Sequence, residues 1–305
     1  MADFLASLTI LRREVEDAYR NPREVWGLPS TFPSYNHLTG GYHPGQMVVL
    51  GAFSGHGKSS YINQEAFGIA ARFLDESLET GKPPRKVVLI SPEMTDVELQ
   101  SRYLTHRTGI PERRIKQGFL DPDEKEAIDI ELDLMERFAP LLHFDAGDTI
   151  HLNDILQNLH MLHATSPIGF AIVDYIQLVR APGGTREGVT TIARELKILA
   201  KQLHIPLLVA SQFRKAQSTF YRDQKVSEKD IAPDADMLKE SADIEHSADV
   251  VALLYNKQDP DDPHNDTFPE VAIHKNRSGG VGKFYLIFHG DRYTFEDIGK
   301  VKGGG

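Results

Sequence analysis

From residue 40 onward, short apolar runs alternate with stretches whose apolar residues recur at helical spacing. The runs "QMVVLGA", "KVVLIS", "LLHFD", "FAIVDYI", "PLLVAS", "DVVALLY", "EVAIHK" and "KFYLIFH" predict strands. Helices are expected between the first five, with start signals written into the chain. Thr95-Asp96-Val97-Glu98 is a capping box, and Asp121-Pro122-Asp123-Glu124 offers an N-cap followed by proline at the first helical position. Strands that are apolar almost throughout must be buried on both faces, so the pattern predicts an α/β fold with a mainly parallel central sheet and helices on both sides. The last strands, joined by the short turn "NRSGGVG", predict an antiparallel extension of that sheet. Upstream, Phe4, Leu8, Leu11, Val15 and Ala18 or Tyr19 recur at helical spacing, charged residues fill the other face, and Asn21-Pro22 ends the pattern. Residues 1–30 are therefore read as an amphipathic helix and linker, and 31–305 as one large domain. That helix either packs on its own domain or docks on another subunit.

Composition changes this picture little. The chain has 305 residues, 40% hydrophobic and 26% charged, which suits a large globular domain. No apolar run is long enough to span a bilayer, and no cleavable leader is evident, so a soluble, non-exported protein with no membrane partner is expected. With no cysteine, disulfides and thiolate metal sites are excluded. His160 and His163 share a helical face without a third ligand near them in sequence, which favours a packing or surface role over a metal. The formal charge of -10 argues against a surface basic throughout, and confines any nucleic-acid contact to particular loops.

The candidate chemistry begins where "QMVVLGA" runs into "AFSGHGKSS". Ala52, Gly57, Lys58 and Ser59 match the phosphate-loop pattern, with alanine where the strict form has glycine. Small residues let the backbone N–H groups of Ser54, Gly55, His56, Gly57, Lys58, Ser59 and Ser60 curl around phosphate oxygens. Lys58 then meets the β and γ phosphates of ATP, and the Ser59 hydroxyl faces Mg²⁺. Asp174, after an apolar strand, is the expected second carboxylate on the metal side. Glu93 and Gln212 follow other strands at the carboxyl edge of the sheet, where a carboxylate could polarise water and an amide could sense the γ-phosphate. In "VAIHKNRSGG", Lys275 and Arg277 fall on one face of an extended chain, aimed at an anion far along the sequence from the phosphate loop.

Together "SGHGKSS", "SPEM", "GFAIVDYIQLV", "ARELKILAKQLHIPLLVASQ", "LKESADIEHSADVV" and "HKNRSGGVG" resemble, in order, the RecA-like motor domain of DnaB-type replicative helicases. The resemblance covers nearly the whole chain. It implies that Glu93 is the catalytic glutamate, Asp174 the Walker-B aspartate, Gln212 the coupling glutamine, and Lys275 with Arg277 the cations inserted into a neighbouring subunit's site. It further implies an ATP-driven hexameric ring on single-stranded and forked duplex DNA, cytoplasmic, in a bacterial or phage-infected cell, with a helicase loader or primase as partner.

In that family a central loop follows the DNA backbone where this chain has Lys239, Glu240 and Ala242; an arginine and a glycine are usual at the first and last of these positions, so DNA affinity is expected to differ. The stretch "FRKAQSTFYRDQK" adds Arg214 and Lys215 as DNA contacts, among aromatics suited to a backbone track. The N-terminal collar domain of such helicases is expected to have no counterpart here, unless residues 1–30 are the remnant of a longer protein's linker helix; the expectation is a trimmed or a naturally short helicase. A RecA-like recombinase, a clock-type ATPase and an idle ATP-binding interaction module remain alternatives.

Overall fold

The computed structural model of the chain describes residues 2–145, 150–181, 185–213, 242–256 and 266–303. Its strands, in chain order, are β1 (Met47–Ala52), β2 (Lys86–Ile90), β3 (Leu142–Asp145), β4 (Ile150–His151), β5 (Ile168–Val173), β6 (Val179–Arg180), β7 (Leu207–Gln212), β8 (Val250–Tyr255), β9 (Glu270–Asn276), β10 (Gly282–His289) and β11 (Thr294–Gly303). The helices are α1 (Ala2–Arg20), α2 (Pro33–Thr39), α3 (Lys58–Thr80), α4 (Asp96–Thr108), α5 (Glu112–Gln117), α6 (Pro122–Phe138), α7 (Leu152–Thr165), α8 (Thr185–Leu203) and α9 (Ala242–Ser247).

Among the described residues, nine strands form one sheet in the order β11-β10-β9-β8-β1-β7-β5-β2-β3. The run from β8 to β3 is parallel, and β9, β10 and β11 extend it antiparallel. The eight expected strands are all present. β1 shows why its sequence is apolar throughout: Val48, Leu50 and Ala52 pack with Tyr61 and Phe67 on one face, and Met47 and Val49 with Leu196 and Leu199 on the other. Helices α3, α4 and α6 cover the first face, and α7 and α8 the second. Both expected caps form, with Thr95 and Glu98, and Asp121 and Glu124, bonding each other's backbone reciprocally.

Three features depart from or sharpen the pattern reading. β11 carries "TFEDIGKVKG", too charged to read as a strand; as the edge of the sheet it pairs on one side only, and charge there blocks further pairing. Helix α1 forms, but Leu8, Leu11, Val15 and Tyr19 stay exposed, so packing of this face on its own domain is not what the structure shows. His163 accepts a hydrogen bond from the Ile168 N–H at 3.2 Å, a structural role, and no group of three metal-ligating side chains occurs among the described residues. No described helix is long and apolar enough to cross a membrane.

Helix α3 is also anchored from behind. Fully buried Glu65 accepts hydrogen bonds from the Ser30 hydroxyl, from Thr31 N–H at 2.8 Å and from the Tyr42 hydroxyl at 2.8 Å, although burial pushes its carboxyl pKa up. These bonds tie the segment before β1 to the helix that opens with Lys58, so the phosphate loop hangs between two fixed elements.

Candidate functional site

The loop between β1 and α3 is shaped by its glycines. Gly57 has φ +88°, and a Cβ there would come within 2.6 Å of the Phe295 ring, so both conformation and space require glycine. Ala52 is still within β1, paired with Gln212 on β7, which explains why alanine serves at the first position of the pattern. Beyond it, Ser54, Gly55, Gly57, Lys58, Ser59 and Ser60 line a cavity of about 340 Å³. Glu93 and Gln212 line the same cavity from the ends of β2 and β7. A parallel sheet brings these distant residues together because its strands end along one edge.

Lys58 and Asp174 are both buried and form a direct ion pair, with the Lys58 ammonium 4.5 Å from the centroid of the Tyr175 ring. Asp174 lies behind Lys58, held by its N–H to Ile90 O at 2.8 Å. Its position at the end of β5, one strand from β2, keeps it close to Glu93: the Asp174 and Glu93 charges both push the Tyr175 phenol up, after burial.

His56 is placed differently from its neighbours in the loop. Its ring packs near Phe53 and Tyr255, and its Nδ1 accepts the Asn256 N–H at 3.1 Å, so its side chain braces the loop against β8. Burial lowers its pKa to about 4. His106, whose Nδ1 lies 3.0 Å from Thr294 Oγ1, is lowered to about 4 by burial and then by the Arg107 charge. An unfolded histidine takes its proton near pH 6.5. Below that value the unfolded chain binds protons that the folded chain refuses, so stability is expected to fall as pH drops from about 6.5 to about 4. Thermal melts across this interval should show a smaller loss for a His56→Gln/His106→Gln double variant than for the unaltered chain; equal losses would remove these histidines from the effect.

Lys275 and Arg277 stand elsewhere. Lys275 is paired in register with Val251, and Arg277 N–H donates to Asp249 O, beside Met47 at the amino end of β1. The Lys275 ammonium donates to Glu245 O at 2.5 Å, and the Arg277 guanidinium to His246 O at 2.7 Å, with Asp249 Oδ1 at 3.4 Å. Both cations thus cover carbonyls at the C-terminal end of α9, where cations are favoured. Burial, and then the Arg277 charge, lower the Lys275 pKa. Neither lines the cavity of its own phosphate loop.

Arg214, Lys215, Lys239 and Glu240 lie outside the described residues. Ala242 is the first residue of α9. Phe213, grouped by sequence with the DNA-facing aromatics, is instead buried against Phe53, and its ring fills the space that side-chainless Gly51 leaves open.

Sequence reasoning missed Arg102, Tyr293 and Gln177. The first two line the cavity, with the Arg102 guanidinium 4.7 Å from the centroid of the Tyr293 ring and the Tyr293 hydroxyl donating to Glu112 at 3.1 Å. Arg102 reads as one more charge on a polar helix, and nothing local links it to Tyr293. Gln177, a polar residue inside "DYIQLV", was the more legible signal.

Known proteins resemble this chain in sequence and in fold. The family model described as "DnaB-like helicase C terminal domain" matches residues 27–297. The chain is 26% identical over 283 residues to the replicative DNA helicase DnaB of Geobacillus stearothermophilus, covering 90% of this chain and 57% of that protein. It is 28% identical over 305 residues to the corresponding helicase of Mycoplasma pneumoniae, covering 94% of this chain and 60% of that protein. The chain therefore spans somewhat over half the length of these relatives. Among solved structures, the ATPase domain of G40P superposes with a TM-score of 0.77 at 22% identity, covering 96% of this chain and 98% of that one. A DnaB-like replicative helicase studied with its primase interactions gives 0.76 at 21% identity, over 94% of this chain and 66% of that one. With the sheet order, the phosphate loop and the family match running through the same residues, the chain belongs to the DnaB-like helicase C terminal domain family.

Proposed function

We propose that this chain is the motor of a ring-shaped DNA helicase: it hydrolyses ATP at subunit interfaces, moves along single-stranded DNA and so unwinds a forked duplex. The observation that carries this reading is the division of the site. Lys58, Glu93 and Gln212 meet at one edge of the sheet, with Asp174 directly behind Lys58, while Lys275 and Arg277 stand toward the other edge. A site split in this way is completed by a second copy placed head to tail. The family match carries the reading toward a helicase rather than a recombinase, a clock-type ATPase or an idle module.

ATP fits the cavity, where the loop backbone and Lys58 face phosphate. Mg²⁺ fits the donor set, since the Ser59 hydroxyl and the Asp174 carboxylate are the hard oxygen ligands it prefers. When bound, the ion neutralises charge on the β and γ phosphates. Lys58 and Asp174 satisfy each other in a buried pair, and the metal nucleotide offers each a partner of opposite charge, so neither is left unpaired in either state. Glu93 holds the attacking water and takes its proton, and Gln212 contacts the γ-phosphate. Arg214, Lys215, Lys239, Glu240 and Ala242 are the proposed DNA track. Phosphate contacts of this kind make binding weaken with salt and ignore sequence. The ring is hexameric and cytoplasmic in this reading, with a loader or primase as its partner.

Arg102 and Tyr293 form a flat, cationic and aromatic wall suited to the nucleotide base. Tyr293→Ala is expected to raise the KM for ATP about tenfold, the scale of one lost base stack, and to change kcat much less. An unchanged KM in steady-state hydrolysis would place the base elsewhere.

The function itself is tested by strand displacement on a forked duplex, together with mass measurement in the presence of a non-hydrolysable ATP analogue. Unwinding by a closed ring is the expected result. Hydrolysis without strand displacement, or a protein monomeric throughout, would overturn it.

A further inference from the structure

Gln212 is held from both sides, and the second hold comes from a residue outside the phosphate-facing set. On one side β7 follows β1 to the end, with Ser211 opposite Gly51, Gln212 opposite Ala52, and the Phe213 N–H donating to Ala52 O at 3.0 Å. On the other side the ladder stops early. β5 pairs with β7 only as far as Val173 opposite Val209, after which the chain leaves the sheet through Asp174 into a short 3₁₀ turn at Ile176–Leu178. Gln177 in that turn takes the missing strand's place. Its Nε2 donates to the Ser211 hydroxyl at 2.9 Å and to Gln212 O at 3.1 Å, and its Oε1 accepts the Gln212 N–H at 3.2 Å. A side-chain amide thus makes the two-bond exchange that a neighbouring peptide would make.

We propose that Gln177 is a positioning residue that sets the direction in which the Gln212 side chain leaves the backbone. This role rests on the proposed helicase reading, in which Gln212 contacts the γ-phosphate. Only Tyr175 and Ile176 separate Gln177 from Asp174, so the segment carrying the metal-side carboxylate and the residue facing the γ-phosphate are joined by this amide. A backbone pinned on both edges fixes the Cα–Cβ direction from which the side chain starts, whereas one pinned only by β1 can tilt and carry that direction with it. Small misplacements of a group that acts on the reacting phosphate are costly in rate.

The test compares the whole chain with Gln177→Ala, Gln212→Ala and the double variant, measuring ATP hydrolysis with and without single-stranded DNA. Gln177→Ala is expected to lower DNA-stimulated kcat about tenfold, while the KM for ATP moves less than about twofold. Because Gln177 acts through Gln212, the double variant should be no slower than Gln212→Ala alone. Ser211→Ala, which removes only the hydroxyl acceptor and leaves the exchange with the Gln212 backbone, should stay close to the unaltered chain. If Gln177→Ala does not fold, Gln177→Asn, one methylene too short to make the pair, carries the same expectations. Full DNA stimulation in the variant, or losses that multiply in the double variant, would overturn the role of Gln177. An unaltered chain whose hydrolysis ignores DNA would instead overturn the helicase reading itself, which is a separate result.

Discussion

Arg277→Ala is expected to hydrolyse ATP about 10³ to 10⁵ times more slowly than the unaltered chain, the range typical of a lost arginine finger. The loss should be repairable by a neighbour. Arg277 is hydrogen-bonded to Asp249, which in turn bonds Met47 at the amino end of β1, and β1 runs from there for six residues before the phosphate loop begins. The five steps from Met47 to Ala52, at about 3.3 Å each, make a separation of roughly 17 Å, which no arginine side chain spans. Its guanidinium is half exposed and rests on His246 O, so it is available to another subunit. Mixing Arg277→Ala with a second dead variant whose finger is intact should therefore restore activity, since about one interface in four is complete when subunits assemble at random. Partial recovery in rings shown by mass to be mixed is the expected outcome. No recovery in such rings would mean that the cations serve their own subunit.

Glu93→Gln is the better dead partner for that experiment, and it carries the second large effect. It is expected to slow hydrolysis about 10²- to 10⁴-fold, the usual contribution of a general base, while leaving ATP binding intact. Glu93 is exposed on the cavity wall and has no ion-pair partner among the described residues, so the isosteric amide disturbs little else. Lys58→Ala is less clean. It removes the partner of buried Asp174, and an uncompensated buried carboxylate costs about 3–5 kcal/mol, so inactivity there would mix lost chemistry with lost folding. Single-turnover hydrolysis and equilibrium ATP binding separate these cases for Glu93→Gln. Hydrolysis at the unaltered rate would remove Glu93 from its role.

The contrast between Glu93 and Arg277 shows how legibility works in this fold. Glu93 and Gln212 could be placed from the sequence because one stands just past an apolar strand and the other ends one, and parallel strands deliver their ends to one edge. The alternation in "EVAIHKNR" put Lys275 and Arg277 on one face, but the edge they occupy depends on β9 running antiparallel beside β8. The direction of that pairing is a property of the assembled sheet.

For other residues the side chain's partner lies far away in sequence and could not be read from it. His56 belongs to a phosphate-loop pattern, yet its ring braces against Asn256. Phe213 looked like a stacking aromatic beside basic residues, and the gap over Gly51 claims it for the core. Arg102 and Tyr293 come from α4 and from the turn between β10 and β11, and only the packing of those elements makes them one wall.

By itself the amino-acid sequence determined the strands that are buried on both faces, the capped helix starts and the phosphate loop. Each is specified by residues within a few positions of one another, through backbone conformation, capping or continuous burial. The tertiary structure alone decided the edge on which the two cations stand, the charged edge strand β11, the exposed face of α1, and the clasp of Gln177 on Gln212. These depend on which surfaces meet after the sheet is assembled, and contacts between residues distant in sequence leave no period or spacing in the chain to read.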